Sequence, residues 1–128
     1  EAFGPLAAAY RMPKDTPEQL AAKQAAIQDA LVGATEVPLD IMRTAAACVE
    51  HADFLARSGS RMARSDAGVS VAFARAAVDG ASLNVYINAA SIDDAERAAR
   101  YRDEADRLVA QTREHCDEVF AFVKDAVS

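Results

Sequence analysis

Asp15-Thr16-Pro17-Glu18-Gln19 reads as a complete helix start, and it decides how the rest of the chain is read. Thr16 has the side chain of an N-cap, Pro17 suits the first helical position, and Gln19 stands three residues after the cap, where it closes a capping box. From there the apolar spacing stays helical to about Arg57, interrupted by Gly33 and Pro38. Pro38 removes one backbone hydrogen bond and crowds the carbonyl of Ala34, so a kink or a break is expected near 35–37. Upstream, residues 3–12 read as the end of a helix stopped by Pro13. Downstream, Gly59 ends the long helix. A further one is expected from about Ser65 to Ala89, with Val69, Phe73, Ala76, Ala77, Gly80 and Leu83 or Asn84 as its core stripe and Gly80 as a point of close helix approach. Ser91-Ile92-Asp93-Asp94 caps a last helix with Leu108, Val109, Thr112, Cys116, Val119, Val123 and Val127 on one side and dense Arg, Asp and Glu on the other.

The fold class is therefore all-α: an antiparallel bundle of long helices joined by short loops. A helix of about 36 residues spans some 54 Å, more than a small monomer readily covers, so a dimer is expected. Composition agrees. The 128 residues are 52% hydrophobic and 6% aromatic, with no Trp, which describes close-packed helices with small side chains in one domain or a piece of one. A net charge of −6 argues against a general nucleic-acid or anionic-membrane binder. Apolar runs are broken by charge well before 18 residues, so no membrane span is expected. Cys48 and Cys116 fall in helical apolar stripes and read as buried thiols of a reducing cytoplasm. His51 and His115 have no metal-box spacing, and no metal is expected.

Two polar islands interrupt the apolar sequence: Ser65-Asp66-Ala67-Gly68-Val69 and Leu83-Asn84-Val85-Tyr86-Ile87-Asn88. Asn84 and Asn88, four apart, share one helix face and can present donors and acceptors to one ligand. Asp66, about five turns earlier, is placed near the helix start, where it either caps the helix after Ser65 or serves as a functional carboxylate. The two Asn equally suit bridges between helices. Arg57, Arg61 and Arg64, with Arg75 beyond, form either a stripe for carboxylates or a solvated edge. Tyr10-Arg11-Met12-Pro13-Lys14 gathers two cations and a phenol at a helix end, where Arg11 and Lys14 also suit C-capping.

Taken together and in order, Ala9-Tyr10-Arg11-Met12-Pro13-Lys14, Ala34-Thr35-Glu36-Val37-Pro38-Leu39, Ser65-Asp66-Ala67-Gly68-Val69 and Leu83-Asn84-Val85-Tyr86-Ile87-Asn88 resemble the cyclodeaminase/cyclohydrolase family of folate one-carbon enzymes. The resemblance covers essentially the whole chain. Members of that family begin with a further stretch bearing a Pro-Gly-Gly-Gly-Ser-like turn and a Lys-rich segment, which this sequence lacks. Residues 1–128 are accordingly read as part of the family domain without its amino-terminal portion. Ser60, after Gly59, stands where the family often has Asn.

The resemblance implies a dimeric cytoplasmic enzyme acting on a tetrahydrofolate derivative, with no cofactor beyond that substrate. The first expectation is a methenyltetrahydrofolate cyclohydrolase interconverting the 5,10-methenyl and 10-formyl forms. The alternatives are a formiminotetrahydrofolate cyclodeaminase that releases ammonia, and a non-catalytic helical dimerisation fragment. Asp66 is the candidate catalytic carboxylate. Asn84 and Asn88 are candidates for the pterin edge, and Arg61 and Arg64, or Arg11 and Lys14, for the glutamate tail.

Overall fold

The computed structural model describes residues 3–128, and among these every regular element is a helix: α1 (Phe3–Tyr10), α2 (Pro17–Ser58), α3 (Arg61–Ala89) and α4 (Ala95–Val127). The starts are built as their sequences require. The Thr16 hydroxyl accepts from Gln19 N, while the Gln19 side chain accepts from Thr16 N at 3.3 Å, so the capping box is complete. The Asp94 side chain accepts from Arg97 N at 3.0 Å and starts α4. The α3 cap corrects the sequence reading: Ser60 holds that place, accepting from Ala63 N, and Asp66 lies in the second turn, beyond capping reach.

α2 runs unbroken through Pro38, against the break that was one of the two expectations there. The Ala34 carbonyl, which the missing Pro38 N–H would have served, instead accepts from Asn88 Nδ2 on α3 at 2.8 Å. One turn earlier the buried Thr35 hydroxyl donates to the Leu31 carbonyl at 2.7 Å. Side chains thus supply what the proline takes away, and the helix stays whole.

The short connections make neighbours antiparallel. α3 packs against both α2 and α4, and α1 lies on the amino-terminal part of α2. Two apolar clusters fill the length. One joins Leu31, Leu39 and Met42 to Val78, Val85, Tyr101 and Leu108. The other joins Val49 and Ala56 to Val71, Cys116, Val119 and Val123. Each large aliphatic side chain so buried contributes about 1.5–3 kcal/mol. The α4 stripe is the expected one. The α3 stripe is not: Val69, Phe73, Ala76, Ala77, Gly80 and Leu83 face outward, and the inward side is Ala67, Gly68, Val71, Ala74, Val78, Ala81 and Val85. The tight crossing of α3 lies at Gly68, where an added Cβ would meet Val123 Cγ1 at 2.8 Å, and not at Gly80, where it would meet nothing. Cys48 is exposed, contrary to the buried thiol expected there, whereas Cys116 is buried and donates to the Val71 carbonyl.

Candidate functional site

The seam between the carboxy-terminal end of α3 and α2, closed on one side by α1, holds a cleft. It has a volume of about 630 Å³. Its walls are mostly apolar, with Leu6, Val37, Pro38, Ile41 and Ile87, and the polar groups turned into it are those of Tyr10, Asn84, Asn88 and Ser91. A cavity of a few hundred Å³ with apolar walls and a few convergent polar groups is the usual form of a small-molecule site.

Asn84 and Asn88 are thus brought together as their spacing required. They are not equivalent. Asn88 is committed through Nδ2 to the Ala34 carbonyl, which leaves its Oδ1 for a ligand. Asn84 makes only a long 3.5 Å contact with the Gly80 carbonyl of its own helix, so its carboxamide remains available.

Tyr10 brings its neighbours to the same end of the molecule. Arg11 and Lys14 were weighed as caps of α1, but that role belongs to Lys23, whose ammonium donates to the carbonyls of Tyr10 at 2.7 Å and Met12 at 3.0 Å. Both cations are exposed, and neither pairs with a side chain among the described residues.

The remaining candidates lie at the opposite end. Asp66 is exposed and separated from Asn84 by eighteen residues of continuous helix, about 27 Å. Within one chain it does not reach the cleft. The arginine cluster is largely occupied by its own fold. Arg57 donates to Asp53 at 2.7 Å and lies 5.0 Å over the Phe122 ring. Arg61 donates to the Val127 carbonyl at 2.7 Å, serving the end of α4. Arg75 pairs with Asp117. Arg64 is half-buried, and its Nε has no protein partner.

The apolar walls of the cleft were not foreseen. The sequence reading treats Ile87 as the setting of the two Asn, and Pro38 as a helix breaker within the Ala34–Leu39 motif, neither as a wall of a cleft. The signal was present in part, because Ile87 follows Asn84 by three positions and Ile41 follows Pro38 by three, the spacing of one helix face. Elsewhere, a charged lattice ties α4 to α2. Arg43 holds both Glu104 oxygens, at 2.8 and 2.9 Å, and also reaches Asp40 and Glu36. The guanidinium holds the Glu104 carboxyl below the ordinary carboxylate range. Burial, reinforced by the bonds to Asp106 and Glu36, pushes the Tyr86 and Tyr101 phenols up.

Comparison with known proteins places this geometry. Residues 1–107 match the family model described as formiminotransferase-cyclodeaminase. The chain is 38% identical, over all 128 residues, to a methenyltetrahydrofolate cyclohydrolase of Methylorubrum extorquens, and spans 62% of that protein. It is 33% identical over 112 residues to the formimidoyltransferase-cyclodeaminase of Sus scrofa, where it covers 21% of the length. The fold is similar to that of the formiminotetrahydrofolate cyclodeaminase of Thermotoga maritima, with a TM-score of 0.68 at 21% identity, over 98% of this chain and 57% of that one. The match of the family model to residues 1–107, over a fold shared with the Thermotoga protein, establishes that the chain belongs to the formiminotransferase-cyclodeaminase family.

Proposed function

We propose that the protein containing this chain is a methenyltetrahydrofolate cyclohydrolase, acting in the cytoplasm as a homodimer and requiring no cofactor beyond the folate. The observation that carries the reading is the 38% identity to a methenyltetrahydrofolate cyclohydrolase across the entire chain. The cleft supports it. Its apolar walls suit a pterin ring, while the Asn84 carboxamide and the Asn88 Oδ1 offer a donor and acceptors to the pterin edge. Arg11 and Lys14, next to Tyr10 and without carboxylate partners among the described residues, suit the glutamate tail.

Hydrolysis adds water to the methenyl carbon. One proton leaves the water, the bond from carbon to N5 breaks, N5 takes a proton, and the carbon remains on N10 as a formyl group. A base near the attacking water and an anionic group near the amidinium charge serve both steps. Asp66 is the carboxylate proposed for this task, and because it stands about 27 Å from Asn84 along its own helix it would serve the cleft of the other protomer of the proposed homodimer. The names of the pig and Thermotoga relatives favour a second reading, in which N10 attacks a formimino carbon and ammonia departs.

The test is the decay of methenyltetrahydrofolate absorbance catalysed by the full-length protein, run beside an assay of ammonia release from the formimino compound. Rapid decay without ammonia release is expected. Ammonia release without hydrolysis would replace this reading by the second. Inactivity toward both with dimers intact would leave a helical dimerisation fragment. In an active protein, Asp66→Asn should lower turnover about a hundredfold or more with unchanged circular dichroism and melting.

A further inference from the structure

Pro38 stands in the interior of a helix that does not end there. No residue is less favourable at such a position, because its ring crowds the carbonyl four residues back and leaves that carbonyl without its N–H. The carbonyl so stripped belongs to Ala34, and Ala34, Pro38 and Asn88 all line the cleft. Ala34 is 6% exposed, which makes bulk water a poor substitute for the missing donor. Asn88 Nδ2 takes the vacant place at 2.8 Å, from 54 positions away in the sequence.

That bond decides which way the Asn88 amide faces. A carbonyl can only accept, so the atom turned to Ala34 must be the nitrogen, and the oxygen is held on the other side of the amide. No protein donor among the described residues reaches Oδ1. Asn84, one turn earlier on the same wall, is the contrast. Its only contact is the 3.5 Å approach to the Gly80 carbonyl, so it can turn either atom to a ligand. The cleft therefore holds one adaptable carboxamide and one fixed acceptor.

We propose that Pro38 is a positioning residue of the cleft: by withholding an N–H it reserves the Ala34 carbonyl for Asn88, and so holds the Asn88 oxygen toward the cleft as a preset acceptor for a ligand N–H. Any other residue at this position would supply an N–H along the helix axis. The Ala34 carbonyl would then be satisfied within α2, and the Asn88 amide would be free to rotate. With the proline in place, that rotation is frozen before a ligand arrives, which removes its ordering cost from binding. A fixed acceptor suits the N–H groups on the edge of a pterin. That match rests on the folate reading above, whereas the lock rests on the α2–α3 seam alone.

The lock is tested without substrate, in full-length protein, by comparing Pro38→Ala, Asn88→Ala and the double variant. In chemical denaturation Asn88→Ala should lower the midpoint of the parent. In the Pro38→Ala background it should lower it hardly at all, because the restored N–H of residue 38 already serves the Ala34 carbonyl. In NMR spectra the Asn88 side-chain amide protons should exchange slowly with solvent in the parent and rapidly in Pro38→Ala. Equal midpoint losses in the two backgrounds, or an Asn88 amide as protected in Pro38→Ala as in the parent, would overturn the proposal.

Binding separates a lock from a wall. Titration with tetrahydrofolate, kept reduced, should show Pro38→Ala weaker than the parent by about three- to tenfold, the loss of one hydrogen bond, and the double variant no weaker than Asn88→Ala. In turnover Pro38→Ala should raise KM more than it lowers kcat. If the proline ring served only as an apolar wall, removing it would weaken binding as much in the Asn88→Ala background as in the parent, and that result would overturn the proposal. A parent that binds no tetrahydrofolate, while the denaturation midpoints couple as described, would remove the folate reading and uphold the lock.

Discussion

Asn88 shows how one side chain can serve structure and site at once. Its amide nitrogen satisfies the carbonyl that Pro38 orphans, and its oxygen faces the cleft. Asn88→Ala would leave the Ala34 carbonyl buried without a donor, so a loss of about 1–3 kcal/mol is expected in chemical denaturation. Asn84→Ala should be nearly neutral in the same measurement. In an active protein it should raise KM more than it lowers kcat, since its carboxamide would hold the substrate equally in ground and transition state. The sequence made the shared face of these two residues legible through their four-residue spacing. It did not make the difference between them legible, because the Asn88 partner lies 54 positions away and only the packed α2–α3 seam reveals it.

At the scale of helices, the starts at Thr16 and Asp94 were legible because capping is local chemistry. The start of α3 was not. Ser60 and the pair Ser65-Asp66 both have capping side chains, and only the wrap of Gly59 against the Leu55 carbonyl selects the first. The inward face of α3 was misread for a related reason: that helix carries two apolar stripes, and the bulky one is outside. Alanine, glycine and valine face inward because α3 is sandwiched closely between α2 and α4. Gly68 marks the limit of that closeness. Gly68→Ala should destabilise by about 1–3 kcal/mol through its collision with Val123, while Gly80→Ala, where an added Cβ meets nothing, should stabilise by about 0.5–1 kcal/mol. The link between α2 and α4 titrates. The Arg43 guanidinium depresses the Glu104 carboxyl, so the stabilisation is complete above the unfolded carboxylate range near pH 4.3 and disappears as the pH falls through the lower folded value. Melting temperatures recorded from pH 6 to pH 3 should therefore drop more steeply for the parent than for Glu104→Gln.

For the molecule as a whole, class and topology followed from helix length and loop brevity, whereas the exposed face of α3 is one that periodicity assigned to the interior. The connections carry one more consequence. Gly59 and Ser60 alone join α2 to α3, and α3 reaches α4 through a turn of five residues. The α2–α3 pair can therefore close before α4 exists, during synthesis itself, with little loop entropy to overcome. Until α4 arrives, Val71 and Val78 are uncovered on one side of α3 and Phe73 is exposed on another, so the hairpin shows water two apolar stripes of that helix. The nascent hairpin is the species most open to aggregation. Refolding kinetics should show its imprint: Val85→Ala in the α2–α3 seam should slow folding, whereas Val123→Ala on α4 should act chiefly by hastening unfolding.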